Sequence, residues 1–285
     1  MCRFIAYQGE PVLIADLLYR PRHSLVRQSM SAEQMSQTFN ADGFGIGFYT
    51  DDQPAPCVMR STVPAWANRG LENLAYRVHS RVVFGHVRAA SHGLPVQDTN
   101  THPFSNGRYQ FMHNGWIGSF RSIKRALQSS LGDAAWEAIE GTTDSEHAFA
   151  LVIDELGGPG AGVTPADLRA AVVRAIARIR ELDVATGSPR PMVCNFAITD
   201  GTATVVSRFA ANAAKPASLF YSAGDSYRVH GDDCDMVPSA DGTYGAMMVA
   251  SEPLTRQPED WVEIPDNHTI TISPDNTVAV EPIVL

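Results

Sequence analysis

Cys2 stands directly after Met1, and that order offers a compact piece of chemistry. An initiator methionine is trimmed when the second side chain is small. Trimming leaves a cysteine whose thiol and free α-amine share one Cα. The amine has an ordinary pKa of about 7.7–8.0, so a useful fraction is unprotonated near neutral pH. It can take the thiol proton directly or through one water, as a built-in general base. Cys2 is therefore a candidate nucleophile, and the competing reading is a small residue that opens a buried strand. Other chemistry-bearing residues lie further on. Arg88 ends the apolar run Val82-Val83-Phe84-Gly85-His86-Val87, where a guanidinium faces either solvent or an anion. Asn114-Gly115 is first of all a hairpin signal. Thr143 with Glu146 three residues on reads as a capping box, so Asp144 suits the first turn of a helix. Gly157-Gly158-Pro159-Gly160 lacks the Lys-Ser/Thr of a phosphate-binding loop. The cysteines Cys2, Cys57, Cys194 and Cys234 form no CxxC pair and no His/Cys metal spacing.

These residues need elements to hold them. Phe4-Ile5-Ala6-Tyr7 reads as a short buried strand that starts at the thiol, with Glu10-Pro11 expected to break it. Residues 13–18 read as a short helix, and Tyr19 to Gln37 as loop-rich. In Gly43-Phe44-Gly45-Ile46-Gly47-Phe48 the aromatic and aliphatic residues alternate with glycines. A strand puts the two sets on opposite faces, one apolar and one bare. The bare face predicts close approach by a ligand, another backbone or a packed element. Residues 66–77 read as a helix and 82–88 as a strand. Tyr109 to Met112 is a strand that runs into His113-Asn114-Gly115. Phe120, Ile123, Leu127 and Leu131 share one face of a helix, and Trp136 and Ile139 suggest a second, short one. A helix follows Thr143, and Thr164-Pro165 opens another that reaches about Leu182 with Leu168, Val172, Ile176 and Ile179 inward. Met192–Thr199 and Ala203–Phe209 flank the hairpin signal Asp200-Gly201-Thr202. Further strands are expected at 218–222, 244–250, 261–264, 268–272 and 277–283. Strands, then helices, then strands suggest stacked sheets with helical covers.

Composition narrows the classes. With 285 residues, 44% hydrophobic, the chain has ample material for a core. A formal net charge of −9 and the lack of a basic run with interleaved aromatics argue against nucleic acid as partner. No segment approaches the roughly 18 apolar residues of a membrane span. Arg3, Gln8 and Glu10 leave no apolar signal-peptide run at the start. Scattered cysteines without an export signal point to a cytoplasmic location.

Taken together in order, the motifs resemble one family. Cys2, Asn40-Ala41-Asp42-Gly43-Phe44-Gly45, His86-Val87-Arg88 with Ser91-His92-Gly93, Thr101-His102-Pro103-Phe104, His113-Asn114-Gly115 and Thr143-Asp144-Ser145-Glu146 match the class II glutamine amidotransferases, which belong to the N-terminal nucleophile (Ntn) hydrolases. The match is densest over residues 1–156 and resumes at Val249-Ala250-Ser251-Glu252-Pro253-Leu254. Arg20-Pro21-Arg22-His23-Ser24-Leu25, Pro64-Ala65-Trp66 and Phe111-Met112-His113 resemble the stand-alone type. That type includes the amidotransferase-like subunit of the fungal glutathione-degradation complex and the γ-glutamyl hydrolase of ergothioneine synthesis.

The resemblance implies an α+β fold, the four-layer αββα sandwich of two stacked antiparallel sheets covered by helices. It implies one amidotransferase domain over 1–285, with a motif core at 2–156 and strands in 192–285 completing the sandwich. It also implies roles. Cys2 attacks a γ-glutamyl amide and forms a thioester, and Asn114 and Gly115 form the oxyanion hole. Arg88 holds the substrate α-carboxylate, Asp144 its α-ammonium, and Ser91 and His102 line the glutamyl pocket. No cofactor or metal is expected. The substrate expected is glutamine or a γ-glutamyl small molecule, and a ligase or peptidase-like protein is a possible partner. Two features depart from the common pattern: Arg3 replaces the usual glycine after the cysteine, and Ala89-Ala90 stands where synthase-linked members carry a tryptophan. Alternatives are a glutaminase subunit that supplies ammonia to a separate synthetase, a non-catalytic scaffold if Met1 is retained, and an Ntn acylase for substrates without an amino-acid end.

Overall fold

Strand β1 (Arg3–Leu13) is buried on both faces from Arg3 to Gly9, and the other layers are laid on those two faces. The computed structural model describes residues 2–34, 39–90, 95–160, 162–189, 191–211, 214–231, 233–240, 244–255 and 257–285. After β1 come α1 (Ile14–Leu18), α2 (Leu25–Met30), β2 (Phe44–Thr50), β3 (Gln53–Ser61), α3 (Arg69–Ala75), β4 (His79–Val87), β5 (Phe104–Asn106) and β6 (Tyr109–Ile117). Four helices follow: α4 (Phe120–Ser129), α5 (Asp133–Glu137), α6 (Asp144–Glu155) and α7 (Pro165–Ala185). The last third holds β7 (Met192–Thr199), β8 (Thr204–Arg208), β9 (Phe220–Gly224), β10 (Ser226–His230), β11 (Asp233–Val237), β12 (Ala246–Ala250), β13 (Val262–Glu263), β14 (His268–Ile272) and β15 (Val278–Pro282).

Among the described residues, one seven-stranded sheet runs β13-β9-β12-β1-β4-β2-β3 and one six-stranded sheet runs β15-β14-β8-β7-β6-β5. Their pairings are antiparallel. The period of two along each strand sorts side chains into layers. Ile5 and Tyr7 pack with Ile14, Leu17, Leu18 and Leu25 beneath α1 and α2. Phe4 and Ala6 face the other way and meet Met112, Ala197 and Val206 between the sheets. Phe111, Phe196 and Ile198 pack outward against Ile123, Leu151, Val172 and Ile176 of α4, α6 and α7. The result is the expected αββα order, with the C-terminal strands in both sheets.

Several local expectations need correction. Pro11 does not end β1. The register with β4 shifts between Gln8 and Val12, so a residue without an N–H sits in an irregularity where no ladder bond is required. Residues 19–37 contain α2, whose start is capped by Ser24 accepting from the Arg27 N–H at 3.4 Å. The helix expected over 66–77 is shorter, a single turn at Ala65–Ala67 followed by α3. Asn114-Gly115 is not a turn. β6 continues through it to Ile117, paired throughout with β7. Glu146 completes only half of the expected capping box. Thr143 accepts from the Glu146 N–H, but the Glu146 carboxylate instead takes the N–H groups of Glu140 and Gly141. The glycine face of β2 is filled by protein. A Cβ at Gly45 would lie 1.9 Å from the His102 carbonyl oxygen, and one at Gly47 1.9 Å from Gln110 Oε1. The exposed edge strand β3 and the β10–β11 hairpin have no counterpart in the sequence reading. β3 carries two prolines and a mostly exposed face, as edge strands do.

Candidate active site

The pairing of β1 with β4 places Arg3 opposite Val87, which brings Cys2 beside the segment that leaves β4. Cys2 Sγ accepts from the Ala89 N–H at 3.4 Å and lies 3.6 Å from the Ala89 carbonyl oxygen. That segment is held by the Asn40–Gly45 motif. Arg88 donates its N–H to the Gly43 carbonyl at 2.9 Å, Asp42 donates its N–H to the Arg88 carbonyl at 3.1 Å, and Asp42 Oδ2 accepts from the Ala90 N–H at 2.8 Å. Burial pushes the Cys2 thiol above its ordinary 9.0, opposed by the Ala89 N–H and by the charges of Arg88 and Arg3. The thiol therefore needs a base to ionise near neutral pH.

The Arg88 side chain is buried. Nη2 donates to the Pro95 carbonyl at 3.3 Å, and buried Nη1 has no partner among the described residues. Burial lowers the affinity of this guanidinium for its proton, and the nearby Cys2 and Asp42 oppose that effect. An arginine stays charged over the working range regardless. The site thus contains a desolvated cation with an N–H that no described residue uses.

Asn114 and Gly115 lie on β6, opposite Asn195 and Cys194 of β7. Asn114 is fully buried, and its Nδ2 donates to Ser251 Oγ at 3.4 Å. Gly115 has φ +154, and a Cβ there would come within 2.0 Å of the Val193 carbonyl oxygen. Close passage of β7, not a turn, is what requires glycine. Two residues on, the Ile117 N–H donates to Asp144 Oδ2 at 2.9 Å, which ties the start of α6 to β6. Asp144 Oδ1 accepts from the Ser145 N–H at 2.9 Å. His113 locks the same corner. Its Nε2 donates to the Val193 carbonyl at 3.0 Å, so Nδ1 is an acceptor, 2.9 Å from Ser145 Oγ.

His102 stacks on His86 with ring centroids 4.2 Å apart and meets Phe104 edge-on. Neither ring nitrogen of His102 has a partner among the described residues. Burial holds His86 down to about 3 and His102 well below its ordinary value, so both rings are neutral. Ser91 lies outside the described residues.

Two functional-site neighbours escaped the sequence reading of roles. The Ser251 Oγ that receives Asn114 also accepts the Phe4 N–H at 3.1 Å. Glu252 pairs with Arg3, with Oε1 2.7 Å from Nε, and both side chains are buried. The approach is off the N–H axis, so it is an ion pair without an aligned hydrogen bond. A Ser-Glu step after an apolar strand is an ordinary sequence, and its only signal was its place in the family motif. Among the described residues, no three His, Cys, Asp or Glu side chains gather as a metal site. No helix among the described residues is long and apolar enough to cross a membrane.

The fold and the gathered motifs define a class II amidotransferase scaffold, and comparison with known proteins agrees. The family model described as glutamine amidotransferases class-II matches residues 23–281, so the chain belongs to that family. It is 37% identical to the yeast (Saccharomyces cerevisiae) protein named probable glutamine amidotransferase DUG3, over 100% of this chain and 85% of that one. It is 28% identical to the γ-glutamyl-hercynylcysteine sulfoxide hydrolase of Mycolicibacterium smegmatis, over 99% of this chain and 100% of that one. Among solved structures, a glutamine aminotransferase class-II domain protein from Silicibacter pomeroyi superposes with a TM-score of 0.68 at 25% identity, covering 100% of both chains. These relatives are the stand-alone type that the motifs resemble.

Proposed function

We propose that the chain hydrolyses the γ-glutamyl amide bond of glutamine, or of a γ-glutamyl peptide or conjugate, through a γ-glutamyl thioester on Cys2. The observation that carries this reading is the seat of Cys2 Sγ on the Ala89 main chain, next to an Arg88 guanidinium with a buried N–H free of any described acceptor. A buried donor of that kind favours a carboxylate ligand. The two relatives support the chemistry by name, one as a glutamine amidotransferase and the other as a hydrolase of a γ-glutamyl compound.

Removal of Met1 is part of the reading, because only then does Cys2 carry a free amine. The amine takes the thiol proton, and sulfur attacks the γ-carbonyl carbon. The carbonyl π electrons move to oxygen, where the Asn114 Nδ2–H and the Gly115 N–H hold the oxyanion. Collapse of that intermediate breaks the C–N bond, and the α-ammonium protonates the leaving amine. Water then cleaves the thioester by the same route, releasing glutamate and restoring the thiol. Arg88 holds the substrate α-carboxylate and Asp144 its α-ammonium. Such a pair selects an amino-acid end, since a substrate lacking either charge leaves a desolvated partner alone. We assign the walls of the glutamyl pocket to Ser91 and His102; His102, neutral by burial, contributes shape and hydrogen-bonding capacity and no charge. A reaction through a free thiol suits a reducing compartment such as the cytoplasm.

Labelling with a γ-glutamyl diazoketone analogue tests the nucleophile. The expected result is one adduct on Cys2 of a chain with its amine free. Labelling elsewhere, or none, overturns the assignment. Glutamate release by the purified chain alone is expected from a self-sufficient hydrolase. Release that appears only on addition of a ligase or peptidase-like partner makes the chain a subunit.

A further inference from the structure

We propose that Ser251 and Glu252 are the positioning residues of this site, one for the oxyanion donor and one for the nucleophile strand. The inference rests on the roles assigned above to Cys2 and Asn114. The ladder between β1 and β12 pairs Ile5 with Ala250, so Phe4 faces Ser251 and Arg3 faces Glu252. At that last rung the Ser251 N–H donates to the Phe4 carbonyl at 3.0 Å. The returning bond from the Phe4 N–H goes to the Ser251 hydroxyl at 3.1 Å. The Ser251 carbonyl is engaged elsewhere, by Ser218 Oγ at 2.8 Å. The same hydroxyl oxygen receives Asn114 Nδ2 at 3.4 Å. Two acceptor lone pairs therefore serve two donors. One is a backbone N–H two residues from Cys2, and the other is the side chain meant to hold the oxyanion. This oxygen fixes the spacing between the two sheets where the chemistry occurs. It leaves the second Nδ2 hydrogen of Asn114 for the substrate.

Strand alternation sends Glu252 to the opposite face. There its carboxylate meets Arg3 Nε at 2.7 Å and His23 Nε2 at 2.8 Å, and accepts the N–H groups of Glu33 at 2.8 Å and Gln34 at 3.0 Å. Arg3 is fully buried, and Glu252 is its one carboxylate partner among the described residues. Cys2 and Arg3 occupy opposite faces of one strand end. A slip by one residue would exchange them, burying the thiol beneath the helices. A buried cation that must meet Glu252 forbids that slip, and it pins a chain end that would otherwise fray.

Steady-state kinetics and Cys2 alkylation by iodoacetamide, which needs no oxyanion hole, separate the two roles. In the processed chain, Ser251→Ala is expected to lower kcat by about 10–100-fold, as a small misplacement does, with KM and the alkylation rate little changed. The same substitution should cost almost nothing further in an Asn114→Ala background. Ser251→Thr, which keeps the hydroxyl, should restore much of the rate. Full kcat in Ser251→Ala, or an equal loss in both backgrounds, overturns the Ser251 half. Glu252→Gln should slow both turnover and alkylation, because it loosens the nucleophile itself. Unchanged alkylation overturns the Glu252 half, and the Ser251 series stands if this variant does not fold. Cys2→Ala and Asn114→Ala are the controls. Turnover in Cys2→Ala, or an unreduced kcat in Asn114→Ala, where a loss of about 10²–10³-fold is expected, defeats the reading of the site, whatever Ser251 does.

Discussion

At the scale of single residues, the site is a set of groups whose burial costs must be met by particular partners. The Cys2 thiol shows the logic. Burial raises it above 9.0 against the opposing Ala89 N–H and the neighbouring cations. While Met1 remains, the Cys2 nitrogen is an amide and the thiol must ionise unaided. Its thiolate then forms only as pH rises beyond the ordinary range. Once Met1 is gone, a free α-amine stands beside it, a neighbouring cation when protonated and a proton acceptor when not, so thiolate character should begin at lower pH than in the form that keeps Met1. Iodoacetamide rates measured against pH on the two forms, distinguished by intact mass, should therefore rise at lower pH for the processed chain. Superimposable profiles would contradict a role for the amine. Arg88 makes a second case. Lysine keeps the charge but not the planar fork. Arg88→Lys should raise KM for γ-glutamyl amides by about tenfold or more, the worth of one charge-assisted hydrogen bond, while sparing iodoacetamide labelling. A fall in labelling with unchanged KM would mean that the arginine serves the thiol and not the substrate.

At the scale of elements, glycine content marks where sheets touch. The bare face of β2 is covered by the His102 carbonyl and Pro103, just before β5, and by Gln110 of β6 in the second sheet. Gly45→Ala would drive a methyl group into fixed backbone at 1.9 Å. Overpacking of this kind is expected to cost about 3 kcal/mol or more. Gly160→Ala, with nothing within 4 Å of the added carbon, should change stability by less than about 0.5 kcal/mol. Denaturant midpoints for the two variants check the contrast, and a silent Gly45→Ala would mean that the sheets can part there. The same region shows what could be read ahead of the structure. The helix α4 was readable from its period and α7 from its period and its cap, since both signals are local, and in α7 Thr164 and Asp167 close the full capping box. The alternation of β2 was readable too, but the identity of what fills its bare face was not, because that depends on a segment about sixty residues away. Asn114-Gly115 misled as a turn for the same reason. The dipeptide permits a hairpin, and only the pairing with β7 selects an extended path. At the site, Cys2, Arg88, Asn114, Gly115 and Asp144 were readable as an ordered motif. Ser251 and Glu252 belonged to that motif too, but their roles were not readable, because those lie in partners almost the whole chain length away.

At the scale of the molecule, the two ends of the chain make one another's structure. β1 is central in its sheet, between β4 and β12, and β6 depends on β7 for its continuous edge. We infer that residues 1–285 act as one domain, with the first 156 unable to hold the site alone. Glu252 gives this joint a measurable pH dependence. Burial acts to raise its carboxyl, yet hydrogen bonds from His23, Glu33 and Gln34 and the charge of Arg3 outweigh burial and hold it below its ordinary 4.5. A carboxyl whose folded pKa lies below its unfolded one contributes stability at pH above the unfolded value. That contribution is lost as pH falls through the folded value. Glutamine at this position does not titrate and leaves Arg3 without a carboxylate. Breaking one side of a buried ion pair is expected to cost about 3 kcal/mol or more at neutral pH. The stability gap between the parent chain and Glu252→Gln should then stay constant above the carboxylate range and narrow on acidification below about pH 4.5. Urea midpoints across that range give the sign directly. A gap that is flat through pH 3 would mean that the carboxylate is not the group that holds the two ends together, and one that widens would mean that its folded form prefers the proton.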